Sequence, residues 1–336
     1  MRSVETRLCH LDPENPDRAI LVEAAEILRS GGLVAFPTET VYGLGANALD
    51  ANAVARIFEA KGRPSQNPLI VHVPDVESAK RVVSEWSETA ERLARHFWAG
   101  SLTLVLPKSP AIPSLVTAGG ESVAVRVPAH PIAQELLRVC GFPLAAPSAN
   151  PSNWLSPTRA EHVWQGLVGR VEMILDGGAT TGGVESTVLS LIHTPPRLLR
   201  PGLVLPSQIR EVIGEIEVDA KVEQEETLLS PGQLLKHYSP HTPLHLVGEE
   251  VEKEIHLLLE EGKRVGWLTH TSTLAPHTNL ITVSMPTFAT EYAARLFDVL
   301  HRLDALGLDA IFVSLPPTDE AWYAVQDRLK RACVTH

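Results

Sequence analysis

The sequence predicts an α/β protein in two domains, a twisted mixed sheet with helices followed by a smaller doubly wound unit. Three observations carry this expectation. Apolar runs of strand length alternate with helix-spaced apolar stripes along most of the chain. The 336 residues exceed what one hydrophobic core ordinarily supports. Residues 203–230 change character, joining a Pro-Ser helix start to the acidic run Glu223-Gln224-Glu225-Glu226. The expected division is a catalytic domain over 1–205, a linker over 206–243 and a small accessory domain over 244–336.

The elements follow in order. Pro16 to Arg29 reads as a helix, with Leu21, Ala24, Ala25 and Leu28 on one side and Gly31-Gly32 ending it. Leu33 to Phe36 reads as a buried strand, Asn52 to Lys61 as a helix, Leu69 to Val73 as a strand and Ser78 to Phe97 as one helix. Leu102 to Pro107, Ser122 to Val127, Pro143 to Ala146 and Val184 to Ile192 read as strands, and Pro131 to Cys140 as a helix. Past the linker, strands at Leu244–Val247, Val265–Thr269, Leu280–Ser284 and Ala310–Ser314 alternate with helices at Val251–Glu261 and Ala289–Leu306, in a doubly wound, Rossmann-like order.

Composition narrows the function. No apolar run reaches the roughly 20 residues of a membrane helix, and the polar start lacks the apolar core of a signal peptide, so a cytoplasmic protein is expected. Cys9, Cys140 and Cys333 have neither metal-ligand nor disulfide-framework spacing and read as isolated thiols. The net charge of −11 is uneven, with 18 basic against 20 acidic residues in 1–205 and 11 against 20 in 206–336. An acidic tail domain is a poor platform for nucleic acid, so tight RNA or DNA binding is not expected.

Polar groups gather where strands end. Thr38, Glu39, Thr40 and Tyr42 follow the strand that ends at Phe36, and Gly43 and Gly45 read as room for close backbone approach to a ligand. Lys61 and Arg63 close a helix just before Pro64, two cations on a stiff connection suited to a triphosphate or simply to a helix C-terminus. No phosphate-binding P-loop sequence occurs. Arg126, flanked by apolar strand residues, needs an anionic partner if it points inward, either a substrate carboxylate or a neighbouring glutamate. Ser148 and Asn150 follow another apolar strand, Ser156 lies just beyond, and Ser186 and Arg200 sit in the motifs VESTV and LRPG. His237 and Tyr238 lie in a proline-bracketed loop after the linker.

In order and wording, the set PTETVYGLGANA, KGRPSQNPLIVHV, SLTLVLP, VAVRVPAHP, PSAN, VESTV and LRPG resembles the YrdC family across residues 10–205. The HYSP motif and the second α/β unit resemble its long, two-domain members. That resemblance implies a YrdC-like catalytic sheet and a reaction in which L-threonine, bicarbonate or CO2, and ATP give threonylcarbamoyl-AMP and pyrophosphate. It implies an adenylyl-transferring enzyme working without a covalent intermediate, Mg2+ carried by the ATP, and a separate complex that passes the threonylcarbamoyl group to tRNA. By the same resemblance, Thr38, Tyr42, His72, Arg126, Ala146 and Ser186 would hold threonine. Lys61, Arg63, Ser65, Ser122, Ser148, Asn150, Ser156, Arg200, His237 and Tyr238 would hold ATP, with Lys61 and Arg63 catalytic. His72 or Glu39 is the candidate to handle a proton. Leu235 stands where some relatives carry a tyrosine that reaches the nucleotide. Two alternatives are a carbamoyltransferase that uses carbamoyl-adenylate and an RNA-binding module.

Overall fold

The computed structural model describes residues 4–218, 238–248, 251–270 and 274–333. The chain divides into two compact units. The first takes residues 1–152, 156–181 and 185–234; the second takes 153–155, 182–184 and 235–336.

In the first unit the elements run β1 (Arg7–His10), α1 (Arg18–Arg29), β2 (Val34–Phe36), β3 (Gly43–Asn47), α2 (Ala51–Lys61), β4 (Ile70–His72), α3 (Val76–Val82), α4 (Glu88–Phe97) and β5 (Leu102–Pro107). They continue through β6 (Ser122–Arg126), α5 (Pro131–Cys140), β7 (Leu144–Ala145), α6 (Ala160–Leu167), β8 (Met173–Asp176), β9 (Thr187–Ser190), β10 (Arg197–Arg200) and α7 (Pro206–Ile213). The strands form one sheet in the order β1-β8-β2-β3-β7-β4-β6-β5-β9-β10. Pairing is mixed: β4 and β6 run parallel, as do β5 and β9, whereas β3 and β7 both run antiparallel to their neighbours. The buried stripe of α1, Leu21, Ala24, Ala25 and Leu28, packs with α5 in one apolar cluster, while α2 contributes Val54, Ile57 and Phe58 to the larger one.

Two local outcomes differ from the sequence reading, each for a physical reason. The long helix expected over Ser78–Phe97 is two helices. Val83 turns extended and bridges to Lys108, and Ser87 then caps α4 by accepting from Ala90 N at 3.1 Å. The glycines of the GLG stretch lie inside β3, opposite Phe36 and Val34, rather than in a ligand loop. A Cβ on Gly45 would stand 2.9 Å from the Phe36 ring, so these glycines make room for that ring.

The second unit holds β11 (Leu244–Val247), α8 (Val251–Glu260), β12 (Val265–Thr269), β13 (Leu280–Ser284), α9 (Ala289–Asp304), β14 (Ala310–Ser314) and α10 (Tyr323–Ala332). All strands pair in parallel, in the order β11-β14-β12-β13. Val251, Ile255 and Leu259 of α8 cover the sheet face that carries Val265 and Trp267. Gly266 alternates to the other face, where Leu303 of α9 lies 3.3 Å from where its Cβ would be. Helices on both faces make this the doubly wound unit that the sequence predicts. Within it, Ser239 N donates to Asn153 O at 2.8 Å, Trp154 packs edge-on against His241 at 4.4 Å, and Gly183, at φ 71°, lies where a Cβ would strike the backbone of α9.

Candidate active site

Backbone bonds draw together several loops of the first unit. Tyr42 N donates to Pro157 O at 2.8 Å, Ala149 N to Tyr42 O at 2.8 Å and Ser152 N to Lys61 O at 2.8 Å. The loops after β2, α2 and β7 therefore share one rim of the sheet. Parallel β4 and β6 end with His72 paired directly to Arg126, which the loop after β2 reaches through Thr40 and Glu39.

Arg126 is the centre of one cluster. Its Nε donates to Gly100 O at 3.0 Å, its Nη1 to Thr40 Oγ1 at 2.9 Å, and its Nη2 lies 2.7 Å from Glu39 Oε1. Thr38 holds this loop in shape: its hydroxyl meets Thr40 Oγ1 at 2.8 Å and donates to Val41 O at 2.6 Å. Burial would raise the pKa of Glu39, but the adjacent Arg126 and the Ala129 N–H outweigh it and keep the carboxylate below its ordinary range. His72 is pushed down to about 3 by burial and by the Arg126 charge, so it is neutral at physiological pH. Its Nδ1 is buried without a hydrogen-bond partner, and Phe36 meets its ring edge-on at 6.3 Å. The Tyr42 hydroxyl is engaged by the turn after β8, donating to Gly178 O at 2.7 Å. Ala146 follows β7 and donates its N–H to Ile70 O at 2.9 Å.

A second cluster gathers cations. Lys61, fully buried, donates from Nζ to Ser148 O at 2.6 Å, to the Asn150 carbonyl, and to Asn150 Oδ1 at 3.3 Å. Burial and Arg63 pull its pKa well below the ordinary lysine value, while Glu185 works the other way. We take it as the ammonium, because the three hydrogen-bond partners of Nζ are all acceptor oxygens. Arg63 folds back on its own loop, with Nη2 donating to Pro68 O at 3.1 Å. Ser156 donates to the buried carboxylate of Glu185. Further along, Ser186 Oγ joins Thr103 Oγ1 at 2.8 Å and accepts from Arg200 Nη2 at 3.1 Å.

The structure thus brings Thr38, His72 and Arg126 together, and likewise Lys61, Arg63, Ser148 and Asn150. Ser65 is exposed on the loop after α2, and Ser122 is half-buried at the opposite end of β6 from Arg126. Tyr238 is buried in the second unit, its ring 5.7 Å from Phe297 and 5.4 Å from the Arg328 guanidinium. His237 and Leu235 lie outside the described residues. The sequence reading gave no ligand role to Thr40, Thr103, Glu185 or Asn67, although all four lie in motifs that it singled out. Asn67 is 1% exposed with neither side-chain polar atom hydrogen-bonded, beside Arg63, whose Nε donates to its carbonyl at 3.3 Å. Its place in KGRPSQNP, six residues past Lys61, was the available signal.

Residues 26–202 match the family model described as telomere recombination, the Sua5–YciO–YrdC family. Residues 204–333 match the one described as threonylcarbamoyl-AMP synthase, C-terminal domain. The chain belongs to the threonylcarbamoyl-AMP synthase family. It is therefore an enzyme. The threonylcarbamoyl-AMP synthase of Pyrococcus abyssi is 45% identical over 92% of this chain and 92% of its own length. That of Bacillus subtilis is 45% identical over 93% of this chain and 92% of its own. The crystal structure of P. abyssi Sua5 complexed with L-threonine matches at a TM-score of 0.90 and 42% identity, covering 98% of this chain and 100% of that one. Escherichia coli YciO matches 60% of this chain at a TM-score of 0.54 and 27% identity. Both halves of the chain are thus accounted for by the same synthase family.

Proposed function

We propose that this chain condenses L-threonine, bicarbonate or CO2, and ATP into threonylcarbamoyl-AMP, releasing pyrophosphate, as the first step of threonylcarbamoyladenosine formation in tRNA. The observation that carries this reading is the likeness, over nearly the full length of both chains, to a relative whose crystal structure holds L-threonine. The site chemistry agrees. Threonine's carboxylate needs a buried cation, and Arg126 supplies one beside Thr38 and Thr40. Neutral His72 presents an unfilled nitrogen beside Arg126, Ala146 lies at the start of the His72 strand against Ile70, and the Tyr42 hydroxyl braces a neighbouring turn.

In this reading the neutral threonine amine attacks the carbon of CO2 and loses a proton to solvent. The resulting carbamate oxygen attacks the α-phosphorus of ATP, and the bond to pyrophosphate breaks. Negative charge spreads over phosphate oxygens in that step. Lys61 and Arg63 are proposed to supply the fixed positive charge that stabilises it, while Ser148, Asn150, Ser156 and Arg200 offer hydroxyl, amide and guanidinium donors. Mg2+ enters as part of the nucleotide substrate. Ser65 and Ser122 complete the nucleotide contacts proposed for the first unit, and Ser186 completes those to threonine. The enzyme works by positioning and electrostatics as an adenylyl transferase. It acts in the cytoplasm and hands its product to a separate tRNA-modifying complex. Among the described residues no helix is long and apolar enough to cross a membrane.

The test is pyrophosphate release from ATP with threonine and bicarbonate omitted in turn. Release that requires both is the expected result. Release indifferent to threonine would move the carbamoyl-transfer reading ahead, and salt-sensitive RNA binding without release would favour the RNA-binding module.

A further inference from the structure

The ion pair between Glu39 and Arg126 is close but incompletely bonded. Oε1 and Nη2 stand 2.7 Å apart, yet neither atom has a hydrogen-bond partner, because the N–H bonds of Nη2 do not point along that line. Every other contact of the pair is satisfied. Glu39 Oε2 accepts from Ala129 N at 3.0 Å, and Thr181 Oγ1 donates to the Glu39 backbone carbonyl at 3.3 Å. Arg126 is fixed through Nε to Gly100 and through Nη1 to Thr40. Both side chains are buried, at 4% exposure for Arg126 and 16% for Glu39. A buried acceptor and a buried donor left open side by side carry a desolvation penalty that a ligand relieves.

One kind of molecule fills both positions at once. An α-amino acid carries a carboxylate and an amino nitrogen on a single carbon, so the two groups can address two protein atoms this close together. We propose that Glu39 is the receptor for the substrate's amino nitrogen, its Oε1 accepting an N–H while Arg126 Nη2 donates to the substrate carboxylate. The inference rests on the threonine-using reading above and deepens it. Glu39 stays ionised in this setting, so it accepts from the ammonium that arrives from solvent and from the neutral amine that reacts. It also gives the site a reason to keep a glutamate against the cation that binds substrate, where the pair would otherwise only blunt that cation's charge. By the same logic the site selects an amino acid over a hydroxy acid or a simple carboxylate.

The experiment compares two ligands on the full chain, L-threonine and 3-hydroxybutyrate, which keeps the carboxylate and hydroxyl but lacks the amine. Binding is read by calorimetry and by competition. Glu39→Gln is expected to weaken threonine binding at least about tenfold, as loss of a charged hydrogen bond does, and to leave 3-hydroxybutyrate binding unweakened or tighter, since that ligand loses no contact and meets an Arg126 whose charge is no longer blunted. Glu39→Asp, which keeps the charge but draws it back by one methylene, is expected to fall between wild type and Glu39→Gln for threonine and to match wild type for the analogue. It also serves if Glu39→Gln does not fold. Equal weakening of both ligands would make Glu39 only a support for Arg126 and overturn the proposal, as would no weakening of either. A wild-type chain that binds no threonine would instead overturn the functional reading on which it rests.

Discussion

At the scale of the residue, the site is built from buried polar groups that hold one another in place. Lys61, Arg63, Arg126 and Arg200 are all 6% exposed or less, and each rests on backbone carbonyls. Such cations are fixed before substrate arrives, so little reorganisation accompanies charge development. Lys61→Ala and Arg63→Ala are each expected to lower kcat at least about tenfold, in the range that loss of a preorganised donor produces. Steady-state pyrophosphate release measures it, and normal turnover in both variants would place phosphate binding elsewhere. Legibility differed from residue to residue. Lys61 and Arg63 stood out because two cations before a proline need a reason. Arg126 left two partners open, substrate or glutamate, and the structure supplies Glu39. Asn67 offered only its place in KGRPSQNP, and Thr103 gave no such signal, since a lone hydroxyl in an apolar strand has its meaning only through neighbours brought from other strands.

Among the elements, the motif LRPG shows how packing fixes a functional side chain. Gly202 crosses so close to the start of β9 that a Cβ there would lie 2.2 Å from Thr187 N and 2.8 Å from Glu185 O. Thr187 locks the crossing, donating to Val204 O at 2.9 Å and accepting from Val204 N at 3.0 Å. Arg200 reaches Ser186 only because the two segments touch. Gly202→Ala is expected to lower stability by about 1–3 kcal/mol, as overpacking does, and to weaken nucleotide binding as well. Urea unfolding and nucleotide titration read the two effects. Periodicity located most elements, because β5, α5 and the four strands of the second unit carry clean apolar patterns. It did not find β3, whose sequence GLGAN looks like a loop; the need for its glycines comes from Phe36 on the neighbouring strand. Nor did it find β1 or β10, short strands at the sheet edges with one buried face.

For the whole molecule, stability depends on histidines kept neutral. Burial lowers the pKa of His72 and His130 in the first unit and of His270 in the second. An unfolded chain takes up a proton at each near its ordinary value, while the folded chain does not. The stability they contribute is therefore complete above the ordinary histidine pKa and is lost as pH falls below it, for His72 down to about 3. The slope is at most about 1.4 kcal/mol per pH unit for buried His72, and less for His130 and His270, whose partial exposure to solvent screens the effect. The urea midpoint is expected to drop between pH 7 and pH 5, and His72→Gln to flatten that drop; an unchanged slope would mean that His72 titrates normally. Glu39 and Asp304, whose pKa values are lowered, contribute in a separate and more acidic window, lost as pH falls below the ordinary carboxylate range.

The commitment of Lys61 has a chemical consequence of its own. In the proposed reaction the product is a mixed anhydride of a carbamic acid and a phosphate, a species that acylates free amines and thiols. Lys61 is the amine of the proposed nucleotide site, and its Nζ is held by three oxygens of Ser148 and Asn150 rather than turned free toward a substrate. Arg63 and Arg200 are equally inert. Cys9 and Cys140 are packed in the apolar cluster beneath α1 and α5, where burial pushes the Cys140 thiol up to about 12. The arrangement proposed to hold phosphate would thus also spare the protein from its own product.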